Sequence, residues 1–249
     1  MIDRYTGGHY NITINKYQNQ KMLREMGIRV LREFIHRWIW VVLLAFCIIG
    51  LIYPVIGLLA LVCMVAPSVV AIWRGRMWCG RFCPRGSFND IILTKVSRNK
   101  AIPKLVKSRW FRNLFLVLLM SAFAIQLVLA WGNLAAIGVV FVRMIIITTL
   151  ITAILGITYS HRAWCMMCPM GTMASWVTGI RDKAKKTSDN NKVTFIKEKC
   201  VSCNLCSKEC PMGINVLSYK NAGTVNHPDC IKCNRCVYKC PKKSLNEVL

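Results

Sequence analysis

A chain of 249 residues that is 55% hydrophobic is too apolar for an ordinary soluble domain, yet it carries a net charge of +24. The two facts fit because apolar and basic residues are segregated along the chain. That is the positive-inside pattern of a membrane protein, and it argues against a nucleic-acid partner. Most of the fourteen cysteines come in tight, regularly spaced groups, which argue against a secreted disulfide framework and point to metal ligation in a reducing compartment.

Residues 1–33 read as a basic cytoplasmic segment without the apolar stretch and cleavage site of a signal peptide. Toward its end, Met22, Met26, Ile28 and Leu31, with Phe34 just beyond, are spaced as on an amphipathic helix, either solvated or lying on the membrane surface. A four-span membrane domain is expected over 34–181. Apolar stretches at 34–53 and 55–73 each have the length of a membrane helix, with Pro54 between them. Residues 74–112 then hold eleven Lys or Arg against one acid, Asp90, before apolar character resumes at 114–131 and 135–159. The turns near 54 and 132 carry no Lys or Arg. The expectation is therefore a multi-pass protein of the cytoplasmic (inner) membrane, surrounded by lipid, with both chain ends cytoplasmic. Arg37 sits near the start of the first apolar stretch, whereas Arg143 interrupts the fourth well inside it. Either it snorkels to the outer headgroups, or, if buried, it would hold a quinone head or an anionic lipid.

Each pair of spans ends in the same device. Residues 76–87 read RMWCGRFCPRGS, and 163–172 read AWCMMCPMGT. The membrane domain is thus two parallel repeats whose cysteines meet on the inner side. If the loops are helical, Cys79 and Cys83 stand at i and i+4, and Cys165 and Cys168 at i and i+3, each pair on one face. The four thiolates are expected to form one shared metal site, iron–sulfur in preference to zinc. Cys47 and Cys63 are expected only to pack, and His161 to be an interfacial polar residue.

After a polar linker at 182–194, residues 195–249 form a small domain of net charge +5, suited to an acidic redox partner. It contains Cys200, Cys203, Cys206 and Cys210-Pro211, then Cys230, Cys233, Cys236 and Cys240-Pro241. Both runs are C-x₂-C-x₂-C-x₃-C-P, the spacing of bacterial ferredoxins with two [4Fe–4S] clusters. Zinc knuckles would have no use for the third cysteine step and the trailing Cys-Pro. Because the fourth cysteine serves the other cluster, one ligand set is Cys200, Cys203, Cys206 and Cys240. The other is Cys210, Cys230, Cys233 and Cys236. The fold class is an α-helical membrane domain with a small α+β two-cluster ferredoxin domain.

Four spans, two inner Cys-Pro motifs and a C-terminal ferredoxin domain resemble the NapH/NosR group of membrane ferredoxins. The gap of two in Cys165-Met-Met-Cys168 departs from the group's usual three. The resemblance implies an electron-transfer subunit, or quinol dehydrogenase, working between a membrane carrier such as quinone and redox partner subunits in a membrane complex. An alternative is a copper-handling or oxidase-assembly reductase of CcoG-like type, for which Met166, Met167, Met170 and Met173 would add soft ligands.

Overall fold

The computed structural model describes residues 6–98, 100, 102–184 and 192–246. Four helices are long and apolar enough to cross a membrane: Met26–Ile52, Pro54–Arg74, Arg109–Leu129 and Leu134–Thr158. The first is the end of α1 (Thr6–Ile52), one unbroken helix. The segment considered for the membrane surface therefore runs straight on into the first span. Its Met26, Ile28, Leu31 and Phe34 are exposed, while the Met22 side chain lies outside those described.

Pro54 ends α1 because proline lacks an N–H and bars its predecessor from helical backbone; Tyr53 sits at φ −119°, ψ 85°. A 3-10 turn, Pro54–Leu59, reverses the chain into α2 (Ala60–Arg74). The basic segment folds as α3 (Met77–Arg81), α4 (Pro84–Phe88), a π-helical turn at Asn89–Leu93, α5 (Thr94–Val96) and α6 (Lys104–Lys107). The second pair of spans is α7 (Arg109–Leu129) and α8 (Leu134–Thr158). Asn133 caps α8 by accepting from the N–H groups of Ala135 (3.0 Å) and Ala136 (3.2 Å). Then come α9 (Ala163–Met167) and α10 (Pro169–Ala184).

Both turns lie at one end of the bundle and both cysteine loops at the other. Exposed aromatics mark the two ends, Tyr53 and Trp131 beside the turns and Trp38, Trp73, Trp110 and Trp176 beside the loops. Such rings favour the headgroup level. Between them Ala60, Phe123, Val140 and Phe141 form the packed interior of the bundle. Arg143 is exposed, and donates to Gln126 Oε1 at 2.5 Å rather than entering the interior.

In the small C-terminal unit, β1 (Thr194–Phe195) pairs antiparallel with β2 (Leu245–Asn246), tying its two ends together. Between them lie α11 (Leu205–Lys208) and α12 (Arg235–Tyr238). Val193 is 2% exposed and packs with Phe195, Val216, Val225 and Leu245. The unit thus begins before residue 195, and helix α10 continues past 182, where the linker was expected to begin.

This unit rests directly on the cysteine loops. Met212, Ile214 and Ile231 share one apolar core with Ala163, Cys165 and Met166, and Cys79, Cys210, Cys230 and Cys233 pack against it. Gly80 makes the contact possible. A Cβ there would come within 2.1 Å of the Ile231 carbonyl oxygen, so only glycine fits. Beside it Arg81 Nε donates to the Lys232 carbonyl at 3.3 Å.

Candidate metal centres

In the C-terminal unit the two cysteine runs adopt one backbone path twice. Ser202 and Asn204 lie at φ 57° and 60°, and Lys232 and Asn234 at 55° and 60°. These left-handed steps turn backbone N–H groups toward sulfur: the amide of Lys232 toward Cys230 and that of Arg235 toward Cys233. Cys210 receives the amides of Ile214 and Met212. Such bonds favour the thiolate that metal binding requires.

Each set of four stands around its own cavity. Cys200, Cys203, Cys206 and Cys240 line one of about 340 Å³, its mouth included. Cys210, Cys230, Cys233 and Cys236 line the other, of about 410 Å³. Among the described residues, no three His, Cys, Asp or Glu gather closely enough to hold a single metal ion. The donors are all sulfur and surround a space, which suits a cluster of several irons.

At the membrane edge the loop geometry differs from the expected shared helical faces. Only the first cysteine of each pair is on a short helix, Cys79 on α3 and Cys165 on α9. Cys83 (φ −71°, ψ 119°) and Cys168 (φ −55°, ψ 127°) have left the helix. The reason is the proline after each, whose ring excludes helical backbone from the residue before it. The unequal gaps are absorbed locally. Cys83 N–H bonds to the Trp78 carbonyl (3.0 Å), and Cys168 N–H to that of Trp164 (2.8 Å), so both loops close on the matching tryptophan. Beyond each proline the pattern is again the same, Ser87 N–H bonding to Cys83 O and Thr172 N–H to Cys168 O.

Cys79, Cys83, Cys165 and Cys168 line one large cavity, about 1350 Å³ with its mouth, that continues up between the spans. Its far walls are apolar and include Val42, Phe46, Leu59, Phe141 and Ile145. Cys63, expected only to pack, is on this wall, whereas Cys47 is half-buried elsewhere. Polar groups cluster at the cysteine end. Arg85 donates to Thr148 Oγ1 at 2.9 Å and lies 5.7 Å from the Trp164 ring. Arg85 Nε and Trp164 Nε1 are buried donors that find no acceptor in the protein. Burial pushes the Cys83 thiol up to about 12, reinforced by Cys79 and opposed by the Gly86 N–H.

Two residues that the motif reading passed over complete the site. Arg76 and Arg162 each stand three residues before the first cysteine of their loop and have no exposed surface. Each reaches across to the other loop: Arg76 donates to the Cys165 carbonyl and Arg162 to the Cys79 carbonyl, both at 2.8 Å. Arg162 also approaches Cys165 Sγ at 3.6 Å, where Asn89 from the π-helical turn approaches at 3.8 Å. The glycines of the Cys-Pro-x-Gly motifs leave room for these contacts. A Cβ on Gly171 would meet Arg76 Nη2 at 2.6 Å, and one on Gly86 the Cys79 oxygen at 2.7 Å. The repeated Arg-x-Trp-Cys was the available signal.

His161 is buried rather than interfacial, and its Nε2 accepts from Arg235 (3.0 Å). Burial, then Arg235, pull its pKa down to about 4, so the ring is neutral at pH 7. Of the methionines, Met166 and Met167 are buried in the core, and only Met170 of the four lines the cavity.

Comparison with known families agrees with this chemistry. The model of a 4Fe-4S binding domain matches the chain twice, at 56–103 and 140–188, once in each half of the membrane region. A 4Fe-4S dicluster domain matches 199–245. An uncharacterized protein of Methanocaldococcus jannaschii is 24% identical over 156 residues, which cover 59% of this chain and 56% of that protein. The chain therefore spans little more than half of the relative's length. No solved structure matches. Ferredoxin-type 4Fe-4S domains and apolar helices in one chain fit a membrane ferredoxin with an iron–sulfur electron-transfer role.

Proposed function

We propose that this protein is a membrane-anchored electron-transfer subunit of NapH/NosR type. It would pass single electrons between a carrier in the cytoplasmic membrane and a cytoplasmic redox protein, with both chain ends cytoplasmic. Cys200, Cys203, Cys206 and Cys240 would hold one [4Fe–4S] cluster, and Cys210, Cys230, Cys233 and Cys236 the second. Cys79, Cys83, Cys165 and Cys168 would hold a further iron–sulfur centre. When bound, such clusters supply one-electron acceptors with no substrate chemistry of their own.

The observation that carries the reading is the contiguity of the three cysteine sets. Cys210 packs in both the outer core of the small unit and the core it shares with the loops. Cys79 and Cys165 pack in that second core together with Cys230 and Cys233. The protein's contribution is to hold the sets in sequence, exclude water between them and present the outermost to partners. Cys203 is exposed there, beside the Lys242 that shares its cavity.

At the membrane end, the apolar cavity supports a lipid-soluble carrier of quinone type. Three residues that line it, Arg76, Arg85 and Trp164, each carry a buried N–H donor (Nε, Nε and Nε1) without an acceptor in the protein, and a carrier's carbonyl oxygen would supply one. Arg143, in contrast, faces away from this space.

Metal analysis of the whole protein purified without oxygen tests the proposal. More iron than two four-iron clusters account for, with no copper, is the expected result. Stoichiometric copper at the membrane cysteines would favour the CcoG-like alternative instead.

A further inference from the structure

Arg76 and Arg162 are each buried without any exposed surface. A guanidinium taken out of water persists only where other groups replace its hydration. The groups that do so belong to three separate stretches of chain. On one side each arginine holds the carbonyl of the opposite repeat's first cysteine, Arg76 that of Cys165 and Arg162 that of Cys79. On the other side each meets a carboxylate, the buried Asp229 or the partly buried Asp90. Arg76 Nη1 donates to Asp229 Oδ1 at 2.8 Å, and Asp229 immediately precedes Cys230. Arg112, at the start of α7, closes on the same Asp229 with two further bonds of 2.8 Å. Arg162 Nε donates to Asp90 Oδ1 at 2.9 Å, and Asp90 also accepts from Arg235 at 3.4 Å. Arg235 lies between Cys233 and Cys236.

The result is two bridges with the same plan: cysteine loop, arginine, aspartate, then the ferredoxin unit's second cysteine run. We propose that Arg76 and Arg162 are positioning residues for the four-cysteine site. Each is carried by one repeat, braces the loop of the other, and is fastened at its far side to the second ferredoxin run. The proposal rests on the reading that these four cysteines hold one centre.

Two consequences follow from the geometry. The paired positive charges, and the Arg162 N–H directed at Cys165 Sγ, offset the negative charge of a thiolate-ligated centre, and charge and hydrogen bonds to sulfur are what set the potential of such a centre. The same side chains fix the distance and register between the membrane site and the second ferredoxin set. Neither effect needs the arginines to exchange electrons themselves.

The test uses the whole protein in lipid nanodiscs, handled anaerobically, with iron content and a redox titration followed by electron paramagnetic resonance. Arg76→Gln and Arg162→Gln should leave the ferredoxin signals in place, which also shows that the variants fold. The potential of the third centre should fall in each, while Arg76→Lys and Arg162→Lys stay closer to the parent. Asp229→Asn should raise amide hydrogen exchange in residues 76–83 and 230–235, as the far anchor loosens. If the unaltered protein holds no iron beyond two four-iron clusters, the reading of the four-cysteine site fails before the arginines are at issue. A third centre whose potential ignores the Gln variants overturns the proposal. Loss of that centre from the Gln variants but not the Lys variants supports it. Loss from both overturns it, leaving the arginines as packing.

Discussion

A buried thiol gives up its proton reluctantly, and a site built from such thiols must compensate. Burial pushes Cys230 up to about 11, opposed by the Lys232 N–H and the Lys232 charge. At Cys79 burial again raises the pKa, and Arg76 opposes it. Four thiols lining one cavity should behave as one ligand shell. Cys79→Ser and Cys165→Ser are each expected to remove the same iron, and the double variant to lose little more. Groups in one unit are non-additive in this way, and iron per chain for the three variants measures it. Losses that simply add would mean two independent sites. The cysteines were legible in the sequence because ligand spacing is a local property: three thiols within seven residues can wrap one face of a cluster whatever the rest of the chain does. Arg76 and Arg162 were not. In a basic segment a buried arginine carries the same letter as a solvated one, and its acceptors lie 89 and 83 residues away.

Helix ends follow from sequence wherever one residue type dictates the backbone. Pro54, Pro84 and Pro169 each begin a new helical segment. The pre-proline rule also explains why Cys83 and Cys168 fall outside α3 and α9, although periodicity alone put each on its neighbour's helical face. The π-helical turn at Asn89–Leu93 left no such mark. It delivers Asn89 to Cys165 and Asp90 to Arg162, partners 76 and 72 residues away that no local pattern shows. A cap far from the cysteines offers a control for the whole scheme. Asn133→Ala removes two bonds to the first turn of α8 and should lower stability by about 1 kcal/mol. Reversible unfolding in detergent should register that loss while iron content stays unchanged. A fall in iron would mean that the turn end of the bundle communicates with the cysteine end.

At the scale of the molecule, hydropathy and charge over long stretches marked out the apolar spans, and the paired cysteine runs marked out the small cluster-type unit. How the two units meet was not legible. Docking relies on Gly80 against a backbone oxygen and on Asp229 between Arg76 and Arg112, contacts that no spacing rule anticipates. The crossed arginines also say something about the chain's architecture. Arg76 serves the loop of Cys165 as Arg162 serves the loop of Cys79, which is the reciprocal relation found across an isologous interface of a twofold dimer. One covalent chain here has the internal grammar of two identical partners. The peptide link between the halves should therefore be dispensable. Residues 1–100 and 101–249, co-expressed as separate chains, should co-purify and retain the iron of the four-cysteine site. Either piece expressed alone should lack it, since each carries only two of the four cysteines.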